Sequence, residues 1–342
     1  MNFMKMNILK PLIFICITGF YNLISGQNIN TNFTIAFGSC DNQEIENKLW
    51  DEILKNDPDV FIWGGDVIYC DTEDMPLMLK TYNKQKNDSV YLNFIKKTEM
   101  LSTWDDHDFG ANDAGEEYPM KDTSKQLFLN FFDVKPDDIR RKRKGVYFSK
   151  DYTVGKYGIR IILLDTRYFR SKLTPDHKTG KRYKPNKYGE GTMLGEAQWK
   201  WLKNELYHSK ADFNIIMSSI QFLSYEHGFE TWGNMPHEAE KLEKIISGSG
   251  AKAVIILSGD RHIAEISSKK LKNLSYPLID FTSSGMTHSF TSYKGEPNKY
   301  RLSKVIPKKN FGVLRIDLTS KTVTMEIRGE NNVLFEKRIQ KY

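Results

Sequence analysis

Five short apolar runs in this chain each stop at side chains able to bind a metal. They are FTIAFGSC, ending at Cys40; VFIWGGD, at Asp66; MLSTWDDHD, at Asp105 to Asp108; IRIILLD, at Asp165; and AVIILSGDRH, at Asp260 and His262. Uninterrupted apolar runs closed by turn residues predict buried strands. In open α/β sheets, ligand groups gather beyond the carboxyl ends of such strands. Residues more than 200 positions apart can therefore share one site.

Helical spacing alternates with these runs. Gln43 to Lys55 sets Ile45, Leu49, Ile53 and Leu54 on one face, and Glu196 to His208 does the same with Trp199, Leu202 and Leu206. A further helix is predicted from Pro236 through Leu242, Ile245 and Ile246 to Gly248. These stripes, together with Trp201 and Tyr207, read as core. After His262 come shorter strands, YPLIDFTSSG, GVLRIDLT and TVTMEIRG, which predict a second sheet packed on the first. The whole pattern is that of one α/β domain over 30–342, a four-layer α/β/β/α sandwich of two mixed sheets flanked by helices. Tyr168 to Met193 is polar, rich in Lys, Gly and Pro, and without period; a connection of that kind is a functional flap or a disordered loop. Its Lys172, Lys178, Lys181 and Arg182 suit either a basic rim that attracts phosphate-rich substrates or a solvated loop.

Charge changes this picture little. Lys and Arg number 50 against 43 Asp and Glu, interspersed along the chain, so no nucleic-acid-binding surface is evident. Residues 1–26 do stand apart: Lys5 and Lys10 precede the apolar Leu12 to Phe20, and the small Ser25 and Gly26 follow. That is the pattern of a secretory signal peptide, too short to span a bilayer, which needs about 20 apolar residues. Export to a periplasmic, cell-surface or extracellular location follows, with no transmembrane segment left after the leader and Cys16 are removed. Cys40 and Cys70 remain, and in an oxidising compartment they could pair. A thiolate beside acidic residues at a strand end is equally a metal ligand.

The strand ends carry the chemistry. Asp66 follows two glycines, which allow a tight turn, and Tyr69 and Asp71 follow within five residues. Asp105, Asp106 and Asp108, crowded around His107, would raise one another's pKa unless a cation compensates. Asn112 adds a neutral oxygen suited to a hard ion. Asp260 and His262 flank Arg261 and would point the same way on extended backbone. At Asp165 and Arg167 the carboxylate is suited to orienting a loop, and the guanidinium to gripping a phosphate or carboxylate in bidentate fashion. A Walker loop, a dinucleotide-binding glycine fingerprint, a GxSxG elbow and HExxH are all missing from the sequence, which disfavours hydride transfer and acyl-serine chemistry.

Taken in order, FGSC, GGDVIYCD, TWDDHDFGAND, LLDTR, LGEAQWKWL and SGDRH resemble the PhoD-type alkaline phosphatases of the calcineurin-like metallophosphoesterase superfamily, over Phe33 to Ser289. The resemblance implies a centre of ferric iron and calcium, with another divalent pair such as Zn2+ or Mn2+ as the alternative. Cys40, Asp66, Tyr69 and His262 would hold the iron, with Asp66 bridging, and Asp106, Asn112 and Asp260 would serve calcium. Cys70 receives no role. Against longer members, the resemblance leaves no room for an extended N-terminal β domain between the expected cleavage site and the first strand, so substrate access would be expected to differ. The implied reaction is in-line hydrolysis of phosphate mono- or diesters by a metal-activated oxygen. Arg167 would bind the non-bridging oxygens, and His107 would either protonate the leaving group or orient its acidic neighbours. A phosphodiesterase or phospholipase D-like hydrolase is the neighbouring alternative, and a non-catalytic metal-binding surface protein the one from a different class. Nothing in the pattern sets an oligomeric state.

Overall fold

The structure, a computed structural model, describes residues 31–342, so the expected leader lies outside the described residues. In chain order the first half holds β1 (Asn32–Gly38), α1 (Trp50–Leu54), β2 (Val60–Gly64), α2 (Met75–Lys86), α3 (Ser89–Ile95), β3 (Glu99–Thr103), α4 (Asp106–Phe109), α5 (Lys121–Phe131), α6 (Ile139–Lys142), β4 (Phe148–Val154) and β5 (Tyr157–Leu163). The second half adds β6 (Thr174–Pro175), β7 (Tyr183–Lys184), α7 (Gly195–Tyr207), β8 (Phe213–Met217), α8 (Pro236–Ser249), β9 (Val254–Ser258), β10 (Ala264–Lys269), β11 (Leu278–Ser283), β12 (Phe311–Asp317), β13 (Thr322–Arg328) and β14 (Leu334–Lys341).

Two six-stranded mixed sheets result, ordered β14-β13-β12-β1-β2-β3 and β10-β11-β9-β8-β5-β4. Each has a parallel centre, β1-β2-β3 in one and β5-β8-β9-β11 in the other, extended by antiparallel strands. Central strands such as VFIWG and VIILS are buried along their whole length, which is why they read as unbroken apolar runs. The edges are polar: β14 carries Glu336, Lys337, Arg338 and Lys341, which discourages pairing with another chain.

Side chains alternate across each strand, and that alternation builds four layers. Ile35, Phe37, Val60 and Ile62 of one sheet meet Ile161, Ile215, Ile255 and Phe281 of the other in a central core, with Phe37 edge-on to Phe281 at 4.9 Å. On the outer face of the first sheet, Ala36, Phe61 and Trp63 pack on Trp50, Met78, Phe94 and Phe128 of the helices. Outside the second, Ile162, Ile216 and Ile256 pack on Trp199, Leu202, Leu242 and Ile246. The expected α/β/β/α sandwich is present.

Several local expectations are corrected. The helix predicted from Gln43 forms only over Trp50–Leu54, because the side chains of Asn42 and Asn47 accept from Glu44 N and Leu49 N and hold the chain in turns. Ile45 is consequently 42% exposed. Tyr207, read as core, ends α7 and is 44% exposed. The helix starting at Pro236 runs past Gly248 to Ser249, stopped by left-handed Gly250. The late strands do not make a sheet of their own: β11 joins β9, whereas β12 and β13 extend the sheet begun by β1. Cys40 and Cys70 are both free thiols, so no disulfide joins them. Among the described residues no helix is long and apolar enough to cross a membrane.

Candidate metal centre

The carboxyl ends of β1, β2, β3, β9 and β11 open on the same side, and their loops close on one another. Cys40 Sγ lies 3.3 Å from Asp66 Oδ2 and 3.2 Å from Ser284 Oγ. The Tyr69 hydroxyl donates to Asp66 Oδ2 at 3.3 Å and lies 3.0 Å from His262 Nε2. Ser284, two residues past Thr282 of β11, also accepts from His262 N at 2.8 Å.

Turn geometry is what aims these groups. Cys40, Asp66, Asp260 and His262 have φ of 63°, 51°, 68° and 54°, a left-handed conformation that non-glycine residues rarely adopt and that tends to collect at functional sites. Asp260 and His262 therefore do not sit on extended backbone as the sequence suggested; two successive kinks turn the strand end back toward Cys40. Gly65 (φ +101°) allows the loops after β2 and β3 to touch, since a Cβ there would fall 2.3 Å from Asp105 Cβ.

Among the described residues, four groups have donor atoms that lie within 4.8 Å of one another inside the group: Cys40, Asp66 and His262; Asp66, Asp106 and His107; Asp105, Asp106 and Asp260; and Asp106, Asp113 and Glu230. Asp66 belongs to the first two and Asp106 to the last three, so the groups form a chain of adjoining candidate cation positions. Electrostatics argue for cations there. Burial and then the Asp66 charge push the Cys40 thiol well above its ordinary range. Burial and then Asp106 do the same to Asp66 and to Asp260, and burial and then Cys40 to the Tyr69 phenol. Burial, helped by His288, lowers His262 to about 3. Asp106 differs: burial opposes its ionisation, yet Arg167 and His107 bring it to about 2. Thiol, phenol and clustered carboxyls held near a neutral imidazole are a donor set that bound cations would deprotonate and satisfy.

The three neighbouring aspartates separate by role. Asp106 faces the cluster and accepts from His107 N at 3.0 Å and Asp113 N at 2.6 Å. Asp108 turns away to accept from Asp105 N and Val67 N, tying the β3 loop to the β2 loop. Asp105 is paired with Arg167, whose Nε donates to it at 2.5 Å. Asn112 donates to Asp106 Oδ2 at 3.4 Å and lines the same cavity. His107 stacks on Tyr69 at 4.2 Å between ring centres, with Nδ1 2.9 Å from Asp71 Oδ2.

Arg167, expected to grip the non-bridging oxygens of a substrate, lies away from the cavity. Its side chain is 0% exposed, enclosed by Asp105 and Glu230, and it does not line the cavity. Buried charges need paired counter-charges, and Glu230 supplies them to both Arg167 and Arg170. Asp165 orients a loop as anticipated, accepting from Val146, Arg167 and Tyr168 N–H groups. Cys70 packs on Thr81 at 3.4 Å, away from the cluster. The Tyr168 to Met193 connection contains the β6–β7 hairpin, and of its basic residues Arg182 reaches the cavity.

Sequence reasoning missed Ser284, His288, Glu230, Asp113 and Arg261. Ser284 and His288 follow the run LIDFTS, which ends in polar residues just as the five recognised runs do. His288 stands edge-on to His262 and Tyr69, with ring centres 4.4 and 5.0 Å away. Glu230 lies in an irregular segment with no periodic signal.

The cavity over the cluster measures about 210 Å³ and is lined by Asp106, His107, Asn112, Arg182, Phe229 and Asp260 among others. A family model described as PhoD-like phosphatase matches residues 35–327. The alkaline phosphatase D of Bacillus subtilis (strain 168) is 25% identical over 178 residues, covering 47% of this chain but only 30% of that relative. Among solved structures, one titled as the structure of PhoD has a TM-score of 0.69 at 18% identity, covering 91% of this chain and 68% of its own. A dimetal phosphatase from Danio rerio gives 0.52 at 12% identity, with 91% and 99% covered. GAP50, titled the anchor in the inner membrane complex of Plasmodium, gives 0.56 at 12% identity, with 90% and 88% covered.

Proposed function

The chain belongs to the PhoD-like phosphatase family, and from that premise we propose that it is an exported, metal-dependent phosphoric ester hydrolase of the alkaline phosphatase kind. One observation carries the reading: donor atoms of Cys40, Asp66 and His262, drawn from three different strand ends, lie within 4.8 Å of one another. Cys40, Tyr69, Asp66 and His262 would hold ferric iron, because thiolate and phenolate are anionic donors suited to a trivalent ion. Asp106, Asn112 and Asp260 would hold calcium through oxygen. Such cations, when bound, supply positive charge for the phosphoryl oxygens and for the leaving oxygen, and make water a stronger nucleophile.

The chain's own residues do the rest. Asp66 and Asp106 set the spacing of the cation positions by belonging to adjoining donor groups. The buried Arg167 orients Asp105 and steadies the Asp106 charge instead of touching substrate. His107 lines the cavity with Nδ1 on Asp71, which leaves its other nitrogen to serve a departing leaving group. That is the arrangement of a general acid. Phe229 and Phe290 give the cavity apolar walls for the organic part of an ester. Export is supported by the leader pattern of residues 1–26.

The test is release of p-nitrophenol from its phosphate ester before and after chelation, and in Cys40→Ala and Asp66→Asn variants. Metal-dependent turnover that both substitutions abolish is expected. The alternative from a different class is a non-catalytic metal-binding surface protein that keeps the same fold. Bound metal without turnover of any phosphate ester would select it.

A further inference from the structure

Arg182 is built into the wall of the cavity in a way that its neighbours make deliberate. The residues on either side anchor it: Lys181 Nζ donates to Glu226 O at 2.7 Å, and Tyr183 uses both its backbone N–H, on Gly228 O at 2.9 Å, and its hydroxyl, on Asp113 Oδ2 at 2.7 Å. The Arg182 carbonyl accepts from Asp176 N at 3.1 Å across the hairpin. Gly228, with φ +87°, lets the hairpin seat so closely that a Cβ there would lie 2.6 Å from Lys181 Cβ. The backbone of Arg182 and both of its neighbours are thus braced against the body of the protein just ahead of β7, which fixes where the arginine side chain leaves the loop.

That side chain faces the cluster. Two guanidinium groups are among the described residues lining the cavity, Arg182 and Arg261. Arg261 is 8% exposed, stacked on Phe229 at 4.1 Å and paired with Glu296 at 2.7 Å. Arg182 is 48% exposed, and its Nη2 meets Asp113 Oδ2 at 2.9 Å. Asp113 belongs with Asp106 and Glu230 to one of the four donor groups, so the pairing holds the guanidinium beside the acidic cluster, on the cavity wall. An anionic ligand would meet a cation already oriented, with donors to spare in its planar fork.

We propose that Arg182 binds the phosphoryl group of the substrate and selects phosphate monoesters over diesters. This rests on the phosphatase reading above. A monoester presents three non-bridging oxygens and two negative charges at alkaline pH, a diester two oxygens and one charge. A guanidinium that reaches the additional oxygen therefore acts on the first class and has little to hold in the second. A charge-assisted pair of this kind accounts for roughly 10- to 100-fold in binding.

The experiment compares metal-loaded wild type, Arg182→Ala and Arg182→Lys in kcat/KM on p-nitrophenyl phosphate and bis(p-nitrophenyl) phosphate, with calorimetric titration of inorganic phosphate alongside. Arg182→Ala is expected to lose about 10- to 100-fold on the monoester and under about threefold on the diester, with weaker phosphate binding. Arg182→Lys should recover part of the monoester rate, as a point charge without the fork. Equal losses on both esters, or none, would overturn the assignment and leave Arg182 as a brace for Asp113. If wild type turns over neither ester, the phosphatase reading fails, and the phosphate titration alone decides: affinity that drops in Arg182→Ala upholds Arg182 as an anion-binding residue, and unchanged affinity removes it.

Discussion

The hydroxyl of Tyr69 lies 3.0 Å from Nε2 of His262, across 193 residues of sequence. Each is a possible ligand alone; together, with Asp66 Oδ2 3.3 Å from the same hydroxyl, they define where a cation would sit.

Tyr69→Phe removes the phenol and keeps the ring that stacks on His107. If iron is bound through phenolate, the purified wild type absorbs visible light and the variant loses or shifts that band. Metal content should fall, and turnover with it by at least about tenfold. An absorption spectrum taken with metal analysis checks both, and a colourless, fully active zinc protein would refute the iron assignment.

Glu230 is ion-paired with two arginines that have no access to water, Arg167 and Arg170. Glu230→Gln leaves that buried positive charge short of a partner and is expected to cost about 3–5 kcal/mol of folding stability. Urea denaturation measures it. A loss below about 1 kcal/mol would mean that Asp105 and backbone carbonyls suffice for the pair.

His107 is expected to matter according to the leaving group. For an alkyl phosphate, whose alkoxide is a poor leaving group, His107→Gln should lower kcat by about 100-fold or more, as loss of a general acid does. For p-nitrophenyl phosphate the loss should stay near tenfold or below, because that oxygen leaves without a proton. Asp71→Asn should reproduce the same bias more weakly by releasing Nδ1. Equal losses on the two esters would make His107 an orienting residue for its acidic neighbours.

Asp280 offers a stability change tied to pH and remote from turnover. It is fully buried on β11, accepting from Phe222 N, Leu223 N and Ser258 Oγ, and burial, against those hydrogen bonds, raises its pKa from 3.8 to about 6. A raised pKa means that the folded state holds the proton more tightly. The favourable contribution is complete below pH about 3.8 and is lost as pH rises through about 6. Asp280→Asn removes the titration, so the stability of the variant relative to wild type should rise by about 2 kcal/mol between pH 4 and pH 8. Denaturation curves at the two pH values test it, and parallel behaviour would place the Asp280 pKa near its ordinary value.

The legible part of this protein was the part encoded locally. FTIAFG, VFIWG and VIILS announce strands buried on both faces, and their polar stops announce where a site must lie, because burial and alternation are properties of adjacent residues. LIDFTS carried the same mark, and Ser284 and His288 could have been read from it. The turn at Asn42 and Asn47 was also written locally, in side chains that compete with the helix for backbone N–H groups, but the apolar spacing of Gln43 to Lys55 concealed it.

Fold class, strand ends and donor types were thus determined by the sequence alone, since apolar period and side-chain chemistry need no knowledge of distant neighbours. Which strand joins which sheet, the left-handed kinks that aim Asp260 and His262, and the enclosure of Arg167 by Asp105 and Glu230 were decided by tertiary structure. Those features depend on how two sheets stack and which charges must be paired once water is excluded, and such energies arise between segments that the chain brings together only by folding.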